Sequence, residues 1–440
     1  MEDNTIKKIV KTNLCTNCGA CYAVCSEDAI DMRLNDRKGI FEPTIDEDLC
    51  THCGKCLEVC CGKGYNFKEF YRKIFDDIPM DPWLGIYKEL LTSNATDKEL
   101  RFNSSSGGSL TALLLFLIER KIVDGAIVTR FSRNDPLMPE VIIAKTRKDI
   151  MESIGSKYCP VPANIALKEV ARIPGKYAFV GLPCHIHSLR IMMDKYAIYR
   201  ERIILILGLM CSHTNTFNGT KYYLLQQGIK LNDIKAFGYR GNGWLGSISV
   251  TKRNNSIKKF ERNPQNIKEK NLLSTSFNYG FTLSRCLTCC DHLAEFADIV
   301  FGDPRLPEYV TNEHIGKSLV IIRTDFANAL YQKAITEGYV KNDIILSRKD
   351  FYRGQNLSFK KGFKSHLIFN RFTFKTNPKY VFSKQKDSKF SLERIIKYMP
   401  SYFPAKNLYT RFTYNYVLLF NNVLNRKKLI GYISRLIRRR

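Results

Sequence analysis

The feature that most constrains this chain is a duplicated pattern of eight cysteines near its N-terminus. The first set has the spacing Cys-x-x-Cys-x-x-Cys-x-x-x-Cys, and the second set repeats it 35 positions later. Gly19 and Gly54 occupy the same place in the two sets, as do Val24 and Val59. We interpret the pattern as an internal duplication. The cysteines concerned are Cys15, Cys18, Cys21, Cys25, Cys50, Cys53, Cys56 and Cys60.

A closely spaced cysteine triplet followed by a fourth cysteine suits the four irons of a cubane iron–sulfur cluster. Structural zinc sites are the alternative, but they use pairs of cysteines rather than a triplet plus one. The segment 5–66 resembles bacterial-type two-cluster ferredoxins. In that class the fourth cysteine of each half ligates the other half's cluster, so the resemblance assigns Cys60 to the first triplet and Cys25 to the second. The residues between the halves, 29–42, predict a hairpin.

Charge and hydropathy limit what the rest of the chain can be. The N-terminus has no apolar segment, and the longest apolar runs are shorter than the ~18–20 residues that span a bilayer, so we expect a cytoplasmic protein. The net charge is +27, yet residues 361–440 alone hold 19 Lys and Arg against 2 Asp and Glu. Because the excess is confined to one segment, it does not predict a nucleic-acid-binding protein.

Beyond residue 100 the sequence alternates short apolar runs with helical patterns. A helix is predicted over 109–120, and buried strands over 125–129, 177–180 and 203–207. This order is typical of an α/β domain with a mainly parallel sheet. The fold class predicted for the whole chain is α/β: an α+β ferredoxin module, a mainly parallel α/β domain and a basic helical tail. Residues 66–100 are interpreted as a connector with a helical stretch near 88–91.

Three further features carry chemistry. The run Ser104–Ser109 opens the predicted helix and could hold an anion such as a flavin pyrophosphate, although Ser-Gly runs also cap ordinary helices. Cys184 and Cys211 follow predicted strands at the edge where α/β folds build their sites, or are buried structural thiols. The Cys-x-x-Cys of residues 286–289 indicates a metal-binding or redox-active site, and no thioredoxin-like context surrounds it.

Taken together and in order, three motifs are similar to the beta-subunit family of coenzyme F420 hydrogenases and dehydrogenases over residues 85–345. They are Ser-Ser-Gly-Gly-Ser-Leu-Thr-Ala-Leu, Gly-Leu-Pro-Cys-His, and Cys-x-x-Cys-x-Asp with Ala-Asp-Ile and Gly-Asp downstream. His185 departs from the Gln that often follows this cysteine in the family. The resemblance implies a bound FAD and a third [4Fe–4S] cluster. The implied ligands of that cluster are Cys184, Cys211, Cys286 and Cys289. The implied cofactor-binding residues are Ser105, Ser106, Gly107, Gly108, Ser109, Thr111 and, for flavin or substrate, Lys157.

The predicted organisation is a two-cluster ferredoxin domain (1–66), a connector (67–100), a flavin and iron–sulfur domain (101–345) and a basic C-terminal region (346–440). The three remaining cysteines are expected to be ordinary thiols near the clusters. They are Cys61, Cys159 and Cys290.

The predicted function is an electron relay between a hydride carrier, coenzyme F420 or another, and the clusters through FAD, with a redox partner protein as electron acceptor. The alternatives are a bacterial reductase of a small or sugar-linked substrate that does not use F420, and an electron-transfer subunit without its own substrate. No catalytic residue is predicted. The segment 414–440 has the pattern of a basic amphipathic helix, which could lie on the inner face of a membrane or dock on the protein itself.

Overall fold

The computed structural model describes residues 4–355, 357–373, 375–386, 388 and 390–397. The predicted amphipathic helix of 414–440 lies outside them. In chain order the strands are β1 (Ile30–Asn35), β2 (Ile40–Ile45), β3 (Gly64–Asn66), β4 (Glu89–Ala95), β5 (Gly125–Phe131), β6 (Pro139–Ala144), β7 (Tyr177–Gly181), β8 (Ile203–Leu209), β9 (Ile234–Gly238), β10 (Ser247–Lys252), β11 (Ile257–Glu261), β12 (Ile299–Gly302), β13 (Ser318–Ile322), β14 (Val340–Ile345) and β15 (Lys379–Val381).

The α-helices flank these strands and lie between them. They are α1 (Lys7–Lys11), α2 (Ala20–Ala23), α3 (Lys55–Glu58), α4 (Phe67–Phe75), α5 (Lys98–Asn103), α6 (Ser109–Glu119), α7 (Arg147–Glu152), α8 (Leu167–Val170), α9 (Pro183–Lys195), α10 (Ala197–Arg202), α11 (Phe217–Gln226), α12 (Ile267–Ser274), α13 (Ser284–Leu287), α14 (Pro307–Asn312), α15 (Asp325–Thr336), α16 (Arg348–Gly354), α17 (Ser358–Lys361), α18 (Phe363–Phe372) and α19 (Leu392–Lys397). Among the described residues no helix is long and apolar enough to cross a membrane.

The N-terminal module shows its duplication in the backbone. Gly19 precedes α2 with φ 85°, and Gly54 precedes α3 with φ 79°, so each triplet turns through the left-handed conformation that glycine adopts freely. Between the halves, β1 and β2 form an antiparallel pair that runs from Ile30 opposite Ile45 to Asn35 opposite Ile40. This pair confirms the predicted hairpin.

The main sheet has eight strands in the order β14-β4-β13-β12-β8-β7-β5-β6. Neighbours pair in parallel from β12 through β8 and β7 to β5. The outer pairs are antiparallel, and five of the eight strands therefore run in one direction. The predicted α/β class is confirmed, with a mixed sheet whose centre is parallel. The predicted helix and strands of residues 109–207 are present as α6, β5, β7 and β8.

The helix predicted near residues 88–91 is wrong, because this stretch begins β4. Six of the seven β4 residues are buried, as expected for a strand between two others and covered on both faces. The charges of Lys88 and Glu89 suggested an exposed helix, whereas pairing with β13 and β14 decides the conformation. Strand β4 therefore lies in the main sheet together with strands from residues 101–345.

Apolar cores cover both faces of the main sheet. On one face α6 and α15 pack on the sheet through residues such as Leu113, Phe116 and Tyr331, all fully buried. On the other face Phe179 and Ile186 pack in one core with residues of the N-terminal module. Full burial of such a side chain contributes roughly 1.5–3 kcal/mol. The N-terminal module is therefore packed into the core of the large domain.

A small antiparallel sheet, β11-β10-β9, lies beside the main one and has its own apolar core. This core also touches the N-terminal hairpin, since the ring of Phe41 meets that of Phe217 edge-on at 5.7 Å between centroids. The small sheet supplies a loop, 239–246, with glycines at positive φ. The loop and the end of β11 reach the same edge of the main sheet as the residues described below.

The segment after residue 345 returns to the N-terminal module. Strand β15 pairs in parallel with β3, directly after the second cysteine set. Lys386 forms a buried ion pair with Glu295, whose carboxylate also accepts a hydrogen bond from Tyr71 of α4. Tyr380 donates to the Thr288 carbonyl at 3.1 Å. The C-terminal segment thereby connects the module to the loop that carries Cys286 and Cys289.

Candidate redox site

The carboxyl ends of β7, β8 and β12 lie at one edge of the main sheet because these strands are parallel neighbours. Helix α9 begins at Pro183, directly after β7, and carries Cys184 in its first turn. Cys211 follows β8 by two positions, and its N–H donates to the carbonyl of His292 at 2.9 Å. The predicted position of both cysteines at this edge is confirmed.

The large domain brings four cysteines together at this edge: Cys184, Cys211, Cys286 and Cys289. Burial raises the pKa of Cys184, and the neighbouring thiols of the other three raise it further. Burial likewise raises the pKa of Cys211 to about 12. The Thr214 N–H points at Cys286 Sγ, 3.4 Å away. All four are half-buried. Four such thiols, which repel one another as thiolates, need a positive centre before they ionise together.

Lys360 of α17 supplies a cation beside these cysteines. Its side chain is only 1% exposed, and its ammonium group bonds to Cys289 with Cys211 and Cys286 nearby. Burial alone would lower the pKa of Lys360, but the three thiolates raise it above its ordinary value. Sequence reasoning missed this residue, because a single lysine outside any motif carries no signal.

The N-terminal module brings Cys60 to the first triplet. Burial and the neighbouring Cys60 and Cys18 thiols raise the pKa of Cys15 to about 12. Cys21 lies near the same three cysteines. Asn17 adds a backbone N–H to Cys15 Sγ at 3.4 Å. This grouping is the one that the ferredoxin resemblance implies.

The second triplet lies nearer the surface. Burial raises the pKa of Cys56, with further contributions from Cys53 and Cys50. Cys53 is exposed. Cys25 is half-buried and packs against the apolar group, including Ile9 and Cys56, that the two halves share. The assignment of Cys25 to the second triplet stays a prediction.

The first triplet and the large-domain cysteines meet across a thin layer of side chains. Cys18 Sγ lies 3.5 Å from Ser188 Oγ, and this hydroxyl accepts the Cys61 N–H at 3.3 Å. Cys61 Sγ in turn donates to the Cys184 carbonyl at 3.2 Å. Arg285, buried, donates to the Gly62 carbonyl at 3.2 Å. Cys61 therefore lies directly between Cys18 of one group and Cys184 of the other.

Asp291, the acidic residue of the Cys-x-x-Cys-x-Asp motif, orders the cysteine loop. It is fully buried, and its carboxylate lies 2.9 Å from His187 Nε2 and accepts the backbone N–H groups of Leu293 and Glu295. Burial would raise its pKa, but the His187 contact and the nearby cations lower it to about 2. The motif aspartate is thus an ionised hydrogen-bond acceptor at the base of the loop.

The predicted Ser-Gly cofactor residues divide into two sets. Gly107, Gly108 and Ser109 are buried, and a Cβ at Gly107 would meet the Ser318 nitrogen at 2.6 Å, so this part packs against the sheet. Ser105 and Ser106 are half-buried at the carboxyl edge, and Thr111 is half-buried on α6.

The two half-buried serines are already hydrogen-bonded to neighbouring loops. Ser105 Oγ accepts the Ser156 N–H at 2.8 Å, and Ser106 donates to Asp303 after β12. These contacts place the Ser-Gly run beside the loop 155–157 and beside the motif Gly-Asp. The structure therefore gathers these three predicted segments at one edge of the main sheet.

Lys157 lies close to Ser105, but its ammonium group points elsewhere. It donates to the carbonyls of Ser153, Ile154 and Gly155 at 2.7, 3.2 and 2.9 Å. Burial lowers the pKa of Lys157 to about 7, whereas three carbonyl acceptors favour the charged form. In this conformation its three N–H donors are used by the backbone, so cofactor contact by Lys157 stays a prediction.

Asp303 is the centre of a charged group that the sequence reasoning did not identify. Its carboxylate accepts Arg240 Nη1 at 2.7 Å and Trp244 Nε1 at 3.1 Å. Arg262 lies over the Tyr158 ring, 4.9 Å from its centroid. The loop Tyr-Arg-Gly-Asn-Gly-Trp-Leu-Gly, with three glycines in eight residues, was the available signal.

Within the described residues no group of three or more His, Cys, Asp or Glu side chains could hold a single metal ion. A cubane cluster binds one thiolate at each of four irons rather than four ligands at one ion.

Comparison with protein families matches both parts of the large domain. Residues 90–168 match the N-terminal region, and residues 175–345 the C-terminal region, of the family described as "Coenzyme F420 hydrogenase/dehydrogenase, beta subunit". Together they cover more than half of the chain. The chain belongs to the coenzyme F420 hydrogenase/dehydrogenase beta-subunit family. Residues 14–62 match a 4Fe-4S dicluster domain, which confirms the resemblance of the N-terminal module.

Several relatives of this chain carry the names of oxidoreductases or of oxidoreductase subunits. A subunit of the F(420)H(2) dehydrogenase of Methanosarcina mazei is 24% identical over 77% of this chain and 87% of its own length. The coenzyme F420 hydrogenase subunit beta of Methanosarcina barkeri is 28% identical over 59% and 82%. A coenzyme F420-dependent sulfite reductase of Methanocaldococcus jannaschii is 25% identical over 73% and 46%. The chain is an electron-transferring oxidoreductase of this family.

A solved structure shares the fold. The F420-reducing [NiFe] hydrogenase complex from Methanosarcina barkeri contains a chain that superposes with a TM-score of 0.51 at 24% identity. The match covers 68% of this family member and 94% of that chain.

Proposed function

We propose that this family member relays electrons between a hydride carrier and three [4Fe–4S] clusters through a bound FAD. The observation that carries the proposal is the junction at Cys61 and Ser188. There Cys61 contacts both Cys18 of the dicluster domain and the carbonyl of Cys184 of the large domain. Two redox centres held this close could exchange electrons inside one chain.

The cysteines present fit the clusters. Cys184, Cys211, Cys286 and Cys289 give four half-buried thiols at one place. Burial and repulsion between neighbouring thiols raise the pKa values of Cys184, Cys211 and Cys286. An iron–sulfur core would relieve that repulsion. Lys360 would hold a fixed positive charge beside the third cluster, and Asp291 would keep the loop of Cys286 and Cys289 in place.

The carboxyl edge of the main sheet suits a flavin nucleotide. Ser105 and Ser106 lie there with glycines at the start of α6, where backbone N–H groups and the helix N-terminus favour an anion. Within the described residues, Arg240 Nε and Arg262 Nη1 nearby are buried without a hydrogen-bond acceptor. When bound, FAD supplies the exchange between two-electron hydride carriers and one-electron clusters.

We propose coenzyme F420 as the hydride carrier because the names of the three relatives described above contain it. We propose a redox protein as the final acceptor, since the solved neighbour comes from a hydrogenase complex. The second triplet, with Cys53 exposed, is the proposed exit for electrons, because electron transfer to a partner needs a cluster near the surface.

The basic segment 414–440 is a separate proposal that rests on sequence alone, because it lies outside the described residues. Its seven Lys and Arg between residues 426 and 440 would contribute roughly 1 kcal/mol each at an anionic membrane surface. Full-length protein should co-sediment with anionic vesicles at low salt, and protein ending at 413 should not. Equal sedimentation of the two would leave docking on the protein itself as the explanation.

The test of the main proposal is anaerobic reconstitution of the full chain. We expect about 12 irons, as three cubanes require, and one FAD per chain, with the flavin bleached by reduced F420. About eight irons per chain and no flavin would indicate an electron carrier with only the two clusters of the N-terminal module. Flavin that NADH bleaches but reduced F420 does not would indicate a reductase of another substrate. Reduction by ferredoxin alone would favour an electron-transfer subunit.

A further inference from the structure

Three arginines from three separate segments converge beside the Ser-Gly run. Arg240 comes from the loop after β9, Arg262 follows β11, and Arg305 follows β12. We call them the arginine group. Their common neighbour is Asp303, which lies at the carboxyl edge of the main sheet between them and Ser106.

Asp303 balances only part of this charge. It holds Arg240 through two contacts, Nη1–Oδ2 at 2.7 Å and Nη2–Oδ1 at 3.3 Å. Trp244 and Ser106 donate to the same carboxylate. Arg305 reaches it at 3.5 Å from a side chain that is 54% exposed. With three guanidinium groups and one carboxylate, the group keeps an excess of two positive charges.

Two of the three arginines, Arg240 and Arg262, are partly or fully shielded from solvent. Arg240 is 8% exposed, and within the described part of the chain its Nε has no acceptor. Arg262 has a buried Nη1 that likewise has no acceptor among those residues. Its guanidinium rests on the Tyr158 ring, and burial and the nearby cations act in opposite directions on the pKa of Tyr158, with a net lowering.

Buried donors without acceptors and a cation without a counter-ion both cost free energy, unless an anion completes the site. Arginine's planar fork matches phosphate oxygens in geometry. The Ser105 and Ser106 hydroxyls and the start of α6 border the same space, through Ser106 and Asp303. The donors present are therefore those of a phosphate site.

We propose that Arg262 and Arg240 bind the phosphate group of the hydride-carrying ligand of this protein. This deepens the function proposed above, on which it rests. Two ligands share that chemistry: the pyrophosphate of the bound flavin nucleotide, and the phosphate of the soluble hydride donor. Arg240 also holds Asp303 in place through two contacts, so replacing it would disturb the surrounding structure. Replacing Arg262 instead tests phosphate binding with the Arg240–Asp303 pair intact.

The test uses full-length, cluster-reconstituted protein and the variants Arg262→Gln and Arg262→Lys. The control is Arg253→Gln, which removes an exposed arginine of the same small sheet that donates to the Asn232 carbonyl. If the flavin is the source, Arg262→Gln weakens FAD binding by roughly ten- to a hundredfold, the value of one charge-assisted hydrogen bond. Riboflavin, which has no phosphate, should bind as before.

If the soluble donor is the source, FAD binding stays unchanged, and KM for reduced F420 rises by a similar factor with kcat nearly constant. Arg262→Lys should recover part of either effect, and Arg253→Gln should show neither. Unchanged FAD affinity together with unchanged KM in Arg262→Gln would overturn the proposal. Thermal unfolding of each variant separates loss of binding from loss of folding.

Inorganic pyrophosphate tests the phosphate site even if the proposed flavin function is wrong. If the wild-type protein takes up no flavin, calorimetric titration with inorganic pyrophosphate still measures the arginine group. Binding to wild type and Arg253→Gln that Arg262→Gln weakens tenfold would support the phosphate site. Heat changes equal in all three proteins would overturn it.

Discussion

Cys60 lies in the second half of the duplicated cysteine pattern, yet its thiol is close to Cys15 and Cys18 in the first half. Cys61, the next residue, lies between the two groups, because its thiol contacts Cys18 and donates to the Cys184 carbonyl. Of these two adjacent cysteines, only Cys60 is predicted to complete a set of four. The side chain of Cys61 takes part in hydrogen bonding at the junction of the two groups.

Cys60→Ser should remove the cluster of the first triplet and leave that of the second. Adding Cys15→Ser should then cost no further iron, because both residues serve one cluster, whereas adding Cys50→Ser should cost about four more irons. Iron analysis after anaerobic reconstitution measures this. Cys61→Ser is the matched control and should retain all the iron. A further loss with Cys15→Ser would contradict the assignment.

Lys360 places one positive charge against the proposed third cluster. Removing it makes an added electron less favourable, so Lys360→Met should lower the midpoint potential of that cluster. A Coulomb energy of about 3 kcal/mol at an effective dielectric of 20 corresponds to a shift on the order of 100 mV for one electron. Redox titration followed by EPR measures it. Lys361→Met, next to it and exposed, should leave the potential unchanged; equal potentials in both variants would contradict the role.

For single residues, the sequence predicts those positions that a regular motif spacing determines. The first triplet and Cys60 are together, and so are the four cysteines of the large domain, because their motifs fix local turns and strand ends. Lys360 and Arg262 were not predictable, since each reaches its site from a segment distant in sequence and without a motif. Their positions depend on tertiary packing alone.

Among the secondary-structure elements, strands β3 and β15 pair so closely that Gly64 has no room for a side chain. Gly64 has φ 131°, and a Cβ there would lie 1.7 Å from the Lys379 carbonyl oxygen. The parallel pairing depends on this glycine. The prediction of secondary structure failed where pairing between strands determines the conformation. The charged start of β4 suggested a helix, although β4 pairs with β13. The three residues of β15 carry no strand pattern of their own, and their conformation depends on β3.

Gly64→Ala should lower the free energy of unfolding by about 3 kcal/mol or more, since it combines a strained backbone with overlap. Gly228→Ala is the control: Gly228 has φ 69° with nothing within 4 Å, so only the backbone strain of about 1–2 kcal/mol applies. Apparent melting temperatures of the two reconstituted variants, scanned at one rate, compare them. If both variants lower the apparent melting temperature equally, close contact between β15 and residue 64 does not contribute to the loss of stability.

The whole molecule is held together by contacts between parts distant in sequence. Glu295 of the large domain accepts from Tyr71 near the N-terminus and from Lys386 near the C-terminus. All three side chains are buried. Burial raises the pKa of Glu295 to about 7, against the opposing effect of Lys386. One carboxylate therefore connects three regions of the chain.

Lys386→Met should destabilise the protein by about 3–5 kcal/mol, because it leaves a buried carboxylate without its cation. The folded pKa of Glu295 lies above the unfolded one, so the folded state holds more protons, and stability should fall further from pH 5 to pH 8. Adding Glu295→Gln should recover much of the loss and remove this pH dependence. Both are measured by chemical unfolding.

The control for this prediction is an exposed ion pair. Arg353→Met breaks the pair with Glu308, in which both side chains are 46% exposed, and should cost less than about 1 kcal/mol. If Lys386→Met costs no more than this control, the buried pair does not hold the C-terminal segment in place.

The partner strand of β3 is made about 300 residues after β3 itself. At translation rates of about 5–20 residues per second, that separation lasts roughly 15–60 s. During this interval the first module exists on the ribosome without β15 beside it, and we expect its thiols to be more accessible to the cell's iron and sulfide donors. We therefore expect ribosome-arrested chains that end before residue 379 to take up iron faster than the released, unloaded protein, which pulse labelling with iron would detect.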